Sequence, residues 1–199
     1  MATVYLSPSS QHFNTGYGVY GTEERRMNLL ANVIEYDLIR NGITTDRNDP
    51  EMTLAEIVAD ANAKAPQIYV ALQSQSAGGA LSGAEVFYYK EDTNSHRLAS
   101  DIFGNLSEIT PFDNIGLTDG ALVYGGLGFY ELRKSKAPSV IVAVGFHDNP
   151  KDAEFIINNI YSIGVQITKG ISDYLGITYK KQSEEIENSL MGEYNGVIF

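Results

Sequence analysis

Ser139-Val140-Ile141-Val142-Ala143-Val144 is followed by Gly145-Phe146-His147-Asp148-Asn149-Pro150. The first six residues are a nearly unbroken apolar run of strand length. Such a run suits a strand covered on both faces, as in a parallel sheet with helices on either side. Pro150 stands where proline is tolerated, at the opening of a helix. Beyond it Ala153, Ile156, Ile157, Ile160, Ile163, Ile167 and Ile171 recur at helical spacing toward Leu175. Buried strand, short loop and amphipathic helix together make one unit of an α/β fold.

Similar units occur earlier in the chain. Ile68-Tyr69-Val70-Ala71-Leu72 is a second apolar run, followed by a Gly/Ser/Ala-rich loop from Ser74 to Gly83. Val4-Tyr5-Leu6, in the segment beginning Met1-Ala2, reads as a first strand, and Ser7-Pro8-Ser9-Ser10 as its loop. After glycines at 16, 18 and 21, Met27, Leu30, Ala31, Ile34 and Leu38 predict a helix. Thr22 is its N-cap, Glu23 and Glu24 lie in its first turn, and Asn41-Gly42 ends it. Ile43 to Arg47 predicts a strand. Thr53 to Ala63 predicts a helix with Leu54, Ile57 and Val58 on one side. Glu85 to Tyr89 predicts a strand and Ser95 to Leu106 a helix. Ala121 to Tyr124 and Phe129 to Leu132 are weaker strand patterns. The expected architecture is a single α/β domain over residues 1–179, with a mixed, mostly parallel sheet flanked by helices. Residues 180–199 change character, from Lys180-Lys181 and Glu184, Glu185 and Glu187 to an apolar end, Val197-Ile198-Phe199. They read as an extension that docks on its own domain or on a neighbour.

Composition narrows the functional classes. At 199 residues, 43% hydrophobic and 20% charged, the chain suits one domain with a full core. Its net charge of −11 argues against nucleic acid and anionic membrane as partners, since phosphate binding needs clustered Lys and Arg. The absence of cysteine removes disulfides, thiolate-zinc sites and thiol catalysis. No apolar run approaches the roughly 20 residues of a membrane helix. The first residues lack the basic and apolar regions of a signal peptide. The Gly16-Gly18-Gly21 spacing is not a phosphate-binding fingerprint, and no Gly-x-Ser-x-Gly elbow is present. The 13 tyrosines and 8 phenylalanines suit a glycan cleft, a core or an assembly interface, and the sequence leaves these open.

Several segments carry a resemblance. They are Ser7-Pro8-Ser9-Ser10-Gln11, Gly21-Thr22-Glu23-Glu24-Arg25-Arg26-Met27-Asn28, Arg47-Asn48-Asp49-Pro50, and Gly83 to Tyr89. Ile109-Thr110-Pro111, Glu131 to Lys134 with Ala137-Pro138, Gly145 to Asn149, and Asp152-Ala153 continue the series. In this order they resemble the zinc-dependent N-acetylmuramoyl-L-alanine amidases, which are peptidoglycan hydrolases. The resemblance implies one zinc held by two histidines and a glutamate, with a second glutamate as general base.

Set against that pattern, the expected residues are mostly replaced. The ligand glutamate falls on Glu24, which otherwise reads as a first-turn acid. The first histidine slot is Ser10, with His12 two positions on. The second is Gln73, whose neutral amide oxygen is a poor zinc ligand. The general base falls on Ala143, which carries no ionisable group. Ser74, Gln75 and His147 are candidates for a retained groove, and His147 otherwise reads as holding the loop after the strand. His96 reads as a surface residue. The expectation is a catalytically inactive relative with no cofactor, the zinc site being a vestige formed by Glu24, His12, Gln73 and Ser10. It would serve a structural or binding role in a cell-wall-related or phage-like assembly, extracellular or within a particle. Its partners would be other subunits or a second copy. The alternatives are a peptidoglycan-binding module using the old groove, and an active zinc amidase rewired through His12, Glu24 and His147.

Overall fold

A computed structural model describes residues 3–199; Met1 and Ala2, read above at the head of the first strand, lie outside the described residues. In chain order the elements are β1 (Thr3–Pro8), α1 (Glu23–Arg40), β2 (Thr44–Arg47), α2 (Leu54–Lys64), β3 (Ile68–Gln75), β4 (Glu85–Tyr88) and α3 (Thr93–Ser107). There follow β5 (Gly116–Asp119), the short turn α4 (Val123–Gly126), α5 (Tyr130–Lys134), β6 (Ser139–Phe146), α6 (Pro150–Leu175) and α7 (Glu184–Tyr194). The six strands form one sheet in the order β2-β1-β3-β6-β4-β5. β2, β1, β3 and β6 run parallel, and β4 pairs antiparallel to β6 and parallel to β5. This is the mixed, mostly parallel sheet that the apolar runs predict.

Strand alternation divides the core in two. Val4, Leu6, Ile68, Val70, Leu72, Val140, Val142 and Val144 point to the face covered by α1, α3 and α6. Tyr5, Tyr69, Ala71, Ile141 and Ala143 point to the other face, where Ile57, Ala61 and Leu132 of α2 and α5 complete a smaller cluster. Each such side chain moved out of water contributes roughly 1.5–3 kcal/mol. The period-two rule also settles the residues at the end of β3. Gln73 follows Tyr69 and Ala71 onto the α2/α5 face, while Ser74 turns to the α1/α6 face.

Local chemistry explains the helix ends. Thr22 caps α1 by accepting from the Arg25 amide. Thr53 and Glu56 form a reciprocal capping box on α2. Asn149 accepts from the amides of Lys151 and Asp152 ahead of Pro150 on α6. α6 departs from helical geometry at Asn159, whose side-chain amide bonds the Phe155 carbonyl.

Two strand expectations are corrected. Ala121–Tyr124 and Phe129–Leu132 are not strands but part of the α4 and α5 segment, where Tyr124, Gly125, Gly126 and Gly128 hold positive φ. The strand in this region is β5, which the sequence reading passes over. Leu54, at the start of α2, is 43% exposed, while Ile57 and Val58 are buried. The segment after residue 180 contains the helix α7, and its end folds back onto its own domain. The Gly196 amide donates to the Ile157 carbonyl, the Tyr161 amide donates to Asn195 Oδ1, and Arg26 Nη1 donates to the Val197 carbonyl at 2.9 Å.

Candidate functional site

The carboxyl ends of β1 and β3 meet the α5 segment at a cavity of about 410 Å³. Ligand sites in parallel sheets sit at strand carboxyl ends, so this is the expected place. Ser10 and Gln11 close one side, Gln73 and Glu131 form the floor, and Tyr124, Phe129 and Tyr130 form the far wall. Gln73 is paired across the sheet with Ala143 of β6. Two of the replaced residues therefore stand side by side. Ala143 is 1% exposed and buried among its neighbours.

Glu131 is the strongest chemical feature of this floor. It is 4% exposed. Its Oε1 accepts from the Tyr69 hydroxyl at 2.9 Å, and its Oε2 lies 3.5 Å from Gln73 Nε2. Burial drives its pKa up to about 7; the Tyr69 bond offsets part of that rise, and the Glu23 carboxylate adds to it. The same burial, with Glu131 alongside, pushes the Tyr69 hydroxyl well above its ordinary value. Sequence reasoning missed Glu131 because it sits in a one-turn helix with no apolar period to place it.

The other singled-out residues form two separate groups. Ser74 and His147 lie on the opposite face of the sheet. Ser74 Oγ accepts from the Tyr20 hydroxyl and lies 2.9 Å from His147 Nδ1. His147 is buried, its ring lies against Tyr20, and its backbone bonds Gln75 and Tyr17. It holds the loop after β6, which is the structural role the sequence allows. Gln75 donates to Glu85. Ser74, Gln75 and His147 do not line this cavity, whereas Gln73, Ser10 and Glu131 do. Asp148 fastens the next loop, accepting from Ser76 and from the amides of Ala77 and Gly79, which together hold its carboxyl below the usual range despite partial burial.

Glu24 and His12 form the second group. His12 Nδ1 is 3.9 Å from Glu24 Oε2, and Asn28 donates to Glu24 Oε1. His12 is exposed. At this end of α1 the buried carboxylate is the neighbouring Glu23, 1% exposed, which accepts from the Ser74 amide at 3.2 Å and from Asn14. Glu23 lies one helical turn before Met27 on the apolar stripe of α1, and that spacing was the signal that could have found it.

Zinc asks for three or four imidazole, thiolate or carboxylate donors converging on one point. The residues here do not fit. Ser10 offers a hydroxyl, Gln73 a neutral amide and Ala143 a methyl, while His12 and Glu24 form a pair that does not line the cavity. Among the described residues no three His, Cys, Asp or Glu side chains group as a metal site.

The fold has counterparts among known proteins. Residues 11–173 match the N-acetylmuramoyl-L-alanine amidase family. A Bacillus subtilis protein described as the uncharacterized protein YqiI is 28% identical over 180 residues, covering 86% of this chain and 84% of its own. The catalytic domain of CwlV, an N-acetylmuramoyl-L-alanine amidase from Bacillus (Paenibacillus) polymyxa var. colistinus, superposes with a TM-score of 0.79 at 19% identity. That match covers 89% of this chain and 100% of CwlV's domain. AmiC2 of Nostoc punctiforme, another such amidase, gives 0.76 at 20% identity over 88% of this chain and 97% of its own.

Proposed function

The chain belongs to the N-acetylmuramoyl-L-alanine amidase family, and from that premise we propose that it binds muramoyl-peptide ligands without hydrolysing them, within a cell-wall-related or particle assembly. One observation carries this reading. Gln73 and Ala143 stand side by side where the family's ligand and base are expected, yet the cavity beside them remains open and lined by polar and aromatic groups. Amide hydrolysis needs a polarised carbonyl and an activated water. A methyl group supplies neither, and a neutral amide oxygen binds zinc weakly. Loss of a general base alone costs about 10²–10⁴ in rate. An open cavity at this place without that chemistry suits recognition.

The test combines three measurements on the full chain: retention on purified cell walls, zinc content after purification, and release of stem peptide. Retention with no stoichiometric zinc and no release is the expected outcome. One zinc per chain together with stem-peptide release would establish an active enzyme instead. Absence of retention would leave the assembly role alone. That second role has its own support: Leu122, Tyr124 and Leu127 are 72%, 69% and 71% exposed on the segment that walls the cavity. Apolar side chains so placed suit contact with another subunit or a second copy. Sedimentation of the wild type against a Leu122→Ser, Leu127→Ser variant tests it.

A further inference from the structure

We propose that Glu131 sets the preference of this cavity, selecting a muramoyl peptide that presents an uncharged amide N–H to the floor over one that presents a carboxylate. The inference rests on the binding reading above and names the feature of the ligand that is read.

The arrangement of acceptors carries it. Glu131 is almost wholly buried, yet it lines the cavity. The Tyr69 hydroxyl occupies its Oε1 at 2.9 Å. Oε2 has Gln73 Nε2 at 3.5 Å, the outer limit of a hydrogen bond, so it keeps acceptor capacity. Gln73 directs its amide nitrogen to Glu131, which leaves its carbonyl oxygen as a second acceptor in the same place. Two acceptors side by side match a ligand carboxamide or peptide N–H. They do not match a carboxylate, which brings only further acceptors. The lining brings no Lys or Arg to neutralise a ligand carboxylate; its other side-chain donors, on Ser7, Ser9, Ser10, Gln11, Tyr124 and Tyr130, are uncharged. A ligand carboxylate at this point meets a like charge in a partly desolvated site, which weakens binding and rejects the wrong partner.

Muramoyl dipeptides supply the matched pair of probes. Muramoyl-L-alanyl-D-isoglutamine carries a carboxamide at the α-position, its D-glutamate counterpart carries a carboxylate at the same atom, and the γ-carboxylate that both keep is common to the comparison. Their affinities for the wild type and for Glu131→Gln are measured by calorimetry at pH 8, where Glu131 is largely ionised. The wild type is expected to favour the carboxamide by about tenfold or more, the usual worth of one charged hydrogen bond. In Glu131→Gln the two affinities converge to within about twofold, mainly through tighter binding of the carboxylate probe. Equal wild-type affinities would overturn this inference and leave the binding reading intact. Failure to bind either probe would overturn both. A readout that needs no variant is the carboxyl carbon resonance of Glu131 in carbon-13-labelled wild type. It should move on addition of the carboxamide probe, and binding without that movement would also overturn the inference.

Discussion

At the scale of single residues, two buried ionisable groups dominate the physics, and the sequence singles out neither as a site residue. Glu131 holds its proton in the folded state up to about 7, while the unfolded chain releases it near 4.5. Stability from that proton is complete below the unfolded value and is lost as pH rises toward the folded one, by roughly 3 kcal/mol. Glu131→Gln has no proton to lose. Its unfolding free energy relative to wild type should therefore climb by about 3 kcal/mol between pH 4.5 and pH 8 in urea titrations. A difference that stays flat with pH would refute the assignment. Arg26 is fully buried, and among the described residues no carboxylate pairs with it. Its Nε and Nη2 donate to the Tyr20 carbonyl, and its Nη1 donates to the Val197 carbonyl. The rings of Tyr20 and Phe199 face the guanidinium at 5.1 and 4.7 Å. Arg26→Met strands those carbonyls and should cost about 3 kcal/mol in denaturant melts. Arg26→Lys should recover little, because an ammonium cannot reproduce the planar fork. The chain's resemblance to its family marked Gln73 and Ala143 directly. Glu23 and Glu24, adjacent acids at one helix start, required the burial pattern to tell apart.

At the scale of elements, amphipathic period was legible where packing is one-sided and long. α1, α3 and α6 follow the spacing of their apolar residues, and β3 and β6 follow their apolar runs. β5 was not legible, because Gly116-Leu117-Thr118-Asp119 has no alternation; pairing with β4 alone makes it a strand. The α4 and α5 segment failed for the opposite reason. Its apolar residues resemble strands, but glycines at positive φ break the extended path. The sequence pattern also hid how closely the helices approach. A Cβ on Gly170 of α6 would lie 2.4 Å from the Ile102 Cα of α3 and 2.6 Å from the Asp101 carbonyl oxygen. On Gly164 it would lie 2.6 Å from Val33 Cγ1 of α1. Backbone cannot yield as a side chain can. Gly170→Ala should thus destabilise at the upper end of the about 1–3 kcal/mol typical of overpacking, and Gly164→Ala at the lower end. Chemical denaturation of both variants checks the order, and the reverse ranking would mean that α3 moves away more easily than the Val33 side chain turns.

At the scale of the whole molecule, the question is whether the segment after residue 180 belongs to this domain or reaches another. α7 by itself is a weak anchor, since none of its residues is fully buried. The final residues hold it. Asn195 and Gly196 bond the backbone of α6, and Val197 bonds Arg26. Phe199 closes over the guanidinium. Its Cβ occupies the space that a side chain at position 21 would need, and Gly21 leaves that space free. The segment begins a few residues after Tyr179, whose hydroxyl donates to Asp37 on α1, so both ends of the extension are fastened to one domain. An intramolecular segment tethered in this way outcompetes the same segment from a second chain at ordinary protein concentrations. A chain ending at Tyr179 should therefore sediment in the same state as the full chain while melting about 5–10 °C lower, the shift that 2–3 kcal/mol produces at this size. Deleting only residues 195–199 should reproduce most of that loss, because the backbone and guanidinium contacts lie there. If the full chain sedimented as a dimer and the truncated one as a monomer, the anchor would be exchanged between copies, and the extension would be an assembly element instead of the final piece of the fold.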